Sequence, residues 1–267
     1  MRQDDGDAIL GGPVNMYEPH FDDAATQASG RLMEALGTGR DHLVTIFANS
    51  THSVESYMAR PRERISETRQ AEGLEFAAEV GWCAHALPFR DEPERLAEPG
   101  LERALIDKIA GRMVKLARRT DAAILLVPRP CGPRVHPHHR VAFRAACLAA
   151  ESMADVVLCL VPDQPYSQIP LNEAVTCCGE SYVPILLPLT PGDLLEKIAR
   201  MSIFRSQLRP AFVKAVQQPV PGGSSEQVVE TLWAPRHLAE SLACRLGVRP
   251  PRQVRRPRTA VGPAQSP

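Results

Sequence analysis

Two short stretches without a polar side chain, Ala122 to Val127 and Val156 to Val161, constrain this chain most. A strand with one wet face alternates polar and apolar residues. A strand without that alternation needs cover on both faces, as in the middle of a parallel sheet. Pro128 and Pro162 follow directly and predict that each strand stops there. Ahead of the first stretch lies an amphipathic helix, Leu101 to Arg119, with Leu101, Leu105, Ile109, Met113 and Leu116 along one stripe. A second helix, His138 to Met153, lies between the two stretches.

The same alternation extends both ways. Val14 to Tyr17, His42 to Ala48, Trp82 to Leu87 and Tyr182 to Leu187 read as further strands. Ala24 to Leu36, Arg62 to Val80 and a long segment from Pro191 through Phe212 read as helices. This order predicts an α/β fold: a Rossmann-like, mostly parallel sheet with helices on both faces. The expected organisation is a flexible N-terminus over residues 1–12, one domain over 13–247, and a disordered basic tail over 248–267. That tail holds Arg249, Arg252, Arg255, Arg256 and Arg258 and no acid, which leaves 26 basic against 31 acidic residues elsewhere. A mildly acidic body suits a cationic ligand and disfavours a polyanion, and 5% aromatics gives little for base stacking. No nucleic-acid partner is expected.

Neither a signal peptide nor an apolar run long enough for a bilayer is evident, so no membrane partner is expected either. The seven cysteines are scattered without a CxxC pair and read as reduced thiols of a cytoplasmic protein. Self-association into a homo-oligomer is left open by the sequence.

Ligands of such sheets bind beyond the carboxyl ends of the strands. Two unusual clusters fall there. Glu18-Pro19-His20-Phe21-Asp22-Asp23 follows the first strand, and His136-Pro137-His138-His139 opens the helix after Val127. Three of the eight histidines lie in those last four residues. A catalytic zinc takes about three N or O ligands and leaves a position open for water. His20, Asp23 and His139 can supply that set, with Asp22 left beside the ion as a candidate base. Taken alone, His20 to Asp23 would read as turn and capping chemistry. The pairing of the two clusters at one sheet edge favours a site. His42, His52, His85 and His237 read as structural or solvated.

At these residues the chain resembles the LmbE-like, or PIG-L-type, N-deacetylase family. Pro19-His20-Phe21-Asp22-Asp23 fits its first motif and His136-Pro137-His138-His139 its second. Ile203-Phe204-Arg205-Ser206-Gln207 resembles a late stretch of the family, and the likeness runs over about residues 13 to 215. The resemblance implies Zn2+, with Fe2+ as the alternative metal, held by His20, Asp23 and His139. It implies Asp22 as general base and His136 as the group that stabilises the oxyanion or assists protonation of the amine. The partner implied is a small-molecule N-acetylated amino sugar. The overall pattern, with Phe21, is similar to aminoglycoside-pathway deacetylases that act on pseudodisaccharides such as 2'-N-acetylparomamine.

A mycothiol-like precursor deacetylase and a non-catalytic sugar-binding member are the alternatives. A nucleotide-binding reading is disfavoured, because no G-x-G-x-x-G follows the first strand. Two residues depart from the family pattern: His138 stands where the second motif has Asp, and Ser29-Gly30 replaces a glycine pair. Glu18, Asp91, Asp163 and Glu173 are the acids placed to face a substrate.

Overall fold

Eight strands form one sheet in the order β3-β2-β1-β4-β5-β8-β7-β6. In chain order they are β1 (Val14–Glu18), β2 (His42–Thr45), β3 (Cys83–Ala86), β4 (Ile124–Arg129), β5 (Val157–Pro162), β6 (Val175–Cys177), β7 (Glu180–Pro188) and β8 (Val229–Pro235). The computed structural model describes residues 11–50, 61–92, 96, 100–131, 135–164, 175–219 and 227–250. The two ends expected to be flexible fall largely outside these residues.

The first five strands pair in parallel. Helices connect them: α1 (Asp23–Ala28), α2 (Leu32–Leu36), α3 (Arg62–Glu79), α4 (Leu101–Thr120) and α5 (Pro137–Glu151). β8, β7 and β6 extend the sheet antiparallel beyond β5. They are accompanied by α6 (Pro191–Met201), α7 (Pro210–Val216) and α8 (Ala239–Arg245). The expected mostly parallel α/β sheet is therefore present, with an antiparallel edge.

The two unbroken apolar stretches are the centre of the sheet, and their alternate side chains go to opposite faces. Ile124 and Leu126 join Met16, Phe76 and Phe204 in one core, and Leu125 and Val127 join Ile109, Met113 and Ala145 in the other. Both faces are covered, which is why no polar residue interrupts these strands.

Three expectations need correction. The helix predicted over Ala24 to Leu36 is two helices. The buried Glu230 carboxylate, from β8, accepts the backbone N–H groups of Gly30, Arg31 and Leu32 at 2.7–2.8 Å. Those contacts satisfy the start of α2, so the chain re-caps there instead of continuing. Gly30 fits because a Cβ would stand 3.0 Å from Glu230 Oε1.

The helix predicted over Pro191 to Phe212 is likewise two. Between them the Ser206 N–H and hydroxyl both donate to the Glu72 carboxylate on α3, which holds the break.

Pro128 does not stop β4, which pairs with β5 as far as Arg129↔Pro162. β1 leaves β4 after Met16↔Leu126, so Pro128 lies where β4 pairs on one side and its missing N–H costs no ladder bond. The parting of β1 from β4 opens the crevice that the sheet rule anticipates.

Candidate active site at the parting of β1 and β4

The loop after β1 is fixed from its base. Glu18 is fully buried and accepts from Ala24 N–H at 3.0 Å and from the Thr45 hydroxyl at 2.7 Å. Burial pushes its carboxyl well above the usual range, against those two hydrogen bonds. Glu18 thus braces the turn from below. Above it, His20 N–H donates to Asp23 Oδ2 at 2.8 Å, and Asp23 N–H donates back to His20 O at 3.3 Å. The three-residue spacing closes a tight turn that aims both side chains one way.

His139 meets them from the first turn of α5. Its Nε2 lies 3.3 Å from His20 Nδ1 and 3.6 Å from Asp23 Oδ2, and His20 Nδ1 lies 3.6 Å from Asp23 Oδ2. Four-coordinate zinc with N and O ligands at about 2.0–2.1 Å has tetrahedral edges of about 3.3–3.4 Å. The triangle matches that size, and once His139 gives up its proton its three corners are lone-pair donors. His139 Nδ1 is 2.6 Å from Asp163 Oδ1, just past β5. A carboxylate behind a histidine fixes the ring and directs the opposite nitrogen outward, as around bound metals.

Burial opposes charge on both Asp23 and His139, but their mutual attraction wins. His139 with His20 holds Asp23 down to about 2, and Asp23 with Asp163 lifts His139 to about 9. This concentrated negative field would be answered by a cation.

Asp22 is ion-paired: Arg69 of α3 places a guanidinium nitrogen 3.0 Å from Asp22 Oδ1. His136 is the N-cap of α5, and its ring accepts from His138 N–H at 3.3 Å through Nδ1. That bond puts the ring proton on Nε2. Burial, then the neighbouring His20, His139 and His138, press His136 down to about 3, so the ring is neutral.

His138 does more than fill the place of a supporting acid. Its ring stacks on Phe47 with centroids 3.9 Å apart. Its Nδ1 is 3.0 Å from Asp91 Oδ1 and 3.2 Å from His20 Nε2. Asp91 also accepts from the Ser50 hydroxyl, and its carboxyl stays well below the usual range because His138, His20 and Ser50 overcome its burial. His20, His136 and His138 form a second set of donors within 4.8 Å. The set with Asp23 is the better cation site, because it carries a carboxylate and tetrahedral spacing.

All five residues singled out in the motifs, His20, Asp22, Asp23, His136 and His139, come to this one place. Of the four acids expected to face substrate, Glu18 lies beneath the turn, Asp163 backs His139, Asp91 holds His138, and Glu173 falls outside the described residues. Arg69, Phe47 and Ser50 were not anticipated. Arg69 belongs to a helix with several arginines, and only the fold distinguishes it from them.

Residues 16–150, just over half of the chain, match the PIG-L family, described as GlcNAc-PI de-N-acetylase. No curated protein sequence matches significantly. Similar solved structures include a deacetylase from the biosynthesis pathway of teicoplanin, with a TM-score of 0.66 and 18% identity over 83% of this chain and 96% of that one. The pseudoaglycone deacetylase of an antimicrobial reagent aligns with a TM-score of 0.64 and 19% identity over 84% and 97% of the two chains. The N,N'-diacetylchitobiose deacetylase of Pyrococcus horikoshii aligns with a TM-score of 0.54 and 16% identity over 89% and 80%. At these identities the structures speak for the fold, whereas the sequence match covers β1 through α5 and both histidine clusters. The chain belongs to the PIG-L family.

Proposed function

We propose that this protein is a metal-dependent amidohydrolase that removes an N-acetyl group from an amino sugar, releasing acetate and a free amine. The observation that carries the reading is the buried His20–Asp23–His139 triangle with Asp22 next to it in the same turn. These three residues would hold Zn2+ or Fe2+, and such an ion supplies Lewis acidity and lowers the pKa of water near neutrality.

The chain's own groups supply the rest. Asp22, held in place by Arg69, takes the proton of the attacking water and returns it to the departing nitrogen as the C–N bond breaks. Neutral His136 donates from Nε2 to the oxygen that gains charge. Because Nδ1 is occupied by the His138 amide, the ring cannot present the wrong nitrogen.

The proposed substrate is an N-acetylated intermediate of an aminoglycoside, such as 2'-N-acetylparomamine. The acidic body of the chain favours a cationic sugar. A second reading, an antimicrobial of the teicoplanin kind, is favoured by two of the similar solved structures, a deacetylase from teicoplanin biosynthesis and a pseudoaglycone deacetylase. No helix among the described residues is long and apolar enough to cross a membrane, in keeping with a small polar substrate. The proposed location is the cytoplasm, where the seven thiols would stay reduced.

Acetate release tests the reading, measured on 2'-N-acetylparomamine, on an N-acetylglucosaminide and on teicoplanin, with and without chelator. Chelator-sensitive release from the first supports the proposal. Release from none of the three, with metal bound, defeats it.

A further inference from the structure

Away from the crevice, the hairpin of β6 and β7 brings a second group of metal-binding atoms against α5. Cys147 Sγ on α5 lies 3.3 Å from Cys177 Sγ, and Cys177 Sγ lies 3.4 Å from Cys178 Sγ. One sulfur from each of the three residues falls within 4.8 Å of the others. Sequence alone read the cysteines as reduced thiols, with nothing to set beside the vicinal pair Cys177-Cys178; all seven are free thiols, and the fold packs residue 147 against 177. The group stands apart from the histidine cluster: Cys147 is eight residues beyond His139, or about 12 Å along the helix axis.

The hairpin is unusual in the residue it uses. Cys177 pairs with Glu180, so Cys178 and Gly179 form a two-residue turn. Their φ angles are 50° and 75°. Such turns take Asn, Asp or Gly at the first position, and a residue with an ordinary Cβ is strained in the left-handed region. Among the described residues, Cys178 and Asp121 are the non-glycine residues with positive φ, and Asp tolerates it. A strained residue is a reason to look for a function. Here the strain coincides with a third sulfur beside two others.

We propose that Cys147, Cys177 and Cys178 form a thiolate site for a soft closed-shell metal ion, zinc(II) or copper(I), which clasps the β6–β7 hairpin to α5. With Zn–S bonds of about 2.3 Å, tetrahedral thiolates stand about 3.8 Å apart, so the sulfurs need to open by roughly half an ångström. Three sulfurs and no imidazole make this a softer site than the His and Asp triangle, and the two would sort metals by that difference. Cys177 is buried and Cys178 exposed, which gives a route in from solvent. Metal binding would release the thiol protons.

Cadmium(II) titration of the full chain, reduced and kept free of oxygen, tests the site through thiolate-to-metal charge-transfer absorbance, which the His and Asp triangle cannot give. One equivalent per chain should produce the band. His139→Ala should retain it and Cys177→Ser should abolish it. Competition with zinc(II) and copper(I) then identifies the preferred ion. Cys178→Gly relieves the turn, so it should raise the stability of the metal-free protein while weakening cadmium binding tenfold or more. That variant keeps the test decisive if Cys177→Ser misfolds. Absence of the band, its persistence in Cys177→Ser, or unchanged cadmium affinity in Cys178→Gly overturns the proposal. A Cys147–Cys177 disulfide that shows no metal uptake after reduction does so too.

Discussion

Asp163 stands behind His139, on the far side of the ring from Asp23, and decides which nitrogen His139 presents to the crevice. At 2.6 Å from Nδ1 it holds the ring proton on that side and leaves Nε2 as the donor toward the proposed ion. Asp163→Asn keeps the shape but weakens this hold, and metal affinity should fall roughly 10- to 100-fold with the three donors intact. Calorimetric or competitive zinc titration measures it, and unchanged affinity would remove Asp163 from the site. Asp22→Asn separates binding from chemistry. It should keep metal at the triangle and lower kcat by roughly 100-fold or more, the usual worth of a general base. Metal content and acetate release together check this; a full rate would exclude Asp22 as the base. Phe21, between His20 and Asp22, is held in turn by what it packs against.

That packing belongs to α3. A Cβ on Gly73 would stand 2.2 Å from Phe21 Cδ1, so the ring lies directly on the helix backbone. Gly73→Ala must push Phe21 and the turn around it. It should destabilise the fold by about 1–3 kcal/mol, as overpacking does, and lower metal affinity as well. Denaturant unfolding and zinc titration read the two effects; a stable variant with normal affinity would show that the turn is set elsewhere. α3 also carries Arg69 to Asp22 and Glu72 to Ser206, so one helix braces the turn of the crevice and the break between α6 and α7. The sequence made the periodicity of this helix legible but not these contacts, because each depends on a residue far away in the chain. That His20, Asp23 and His139 meet at one sheet edge was legible because strand ends and a helix start are local signals. The breaks at Gly30 and near Ser206 were not, since buried carboxylates from other elements cause them. β8 (Val229–Pro235) was not among the expected strands, and the buried contacts of Glu230 that tie it into the fold come from residues far away in the chain.

Over the whole molecule, a ligand that binds only the folded state stabilises it. At a free zinc concentration one hundred times Kd this amounts to about 2.7 kcal/mol, so Tm should rise on adding zinc and fall on dialysis against chelator. In His139→Ala the increment from the crevice should vanish, leaving what the thiols contribute. Equal Tm with zinc and with chelator in the unaltered protein would mean that neither set of donors holds an ion. Glu230 links the halves of the sheet: it accepts three N–H groups at the start of α2, and Lys197 of α6 donates to it at 2.6 Å. Glu230→Gln leaves that ammonium buried without its counter-charge and should cost about 3–5 kcal/mol in urea unfolding. A smaller loss would mean that water replaces the carboxylate. The segment matching the PIG-L family ends at residue 150, eighty positions before Glu230. A fragment cut to that segment would carry the three proposed ligands, Asp22 and His136, and still lack Asp163 behind His139 and the acid that starts α2. The portion that identifies the protein is therefore not the portion that can stand by itself.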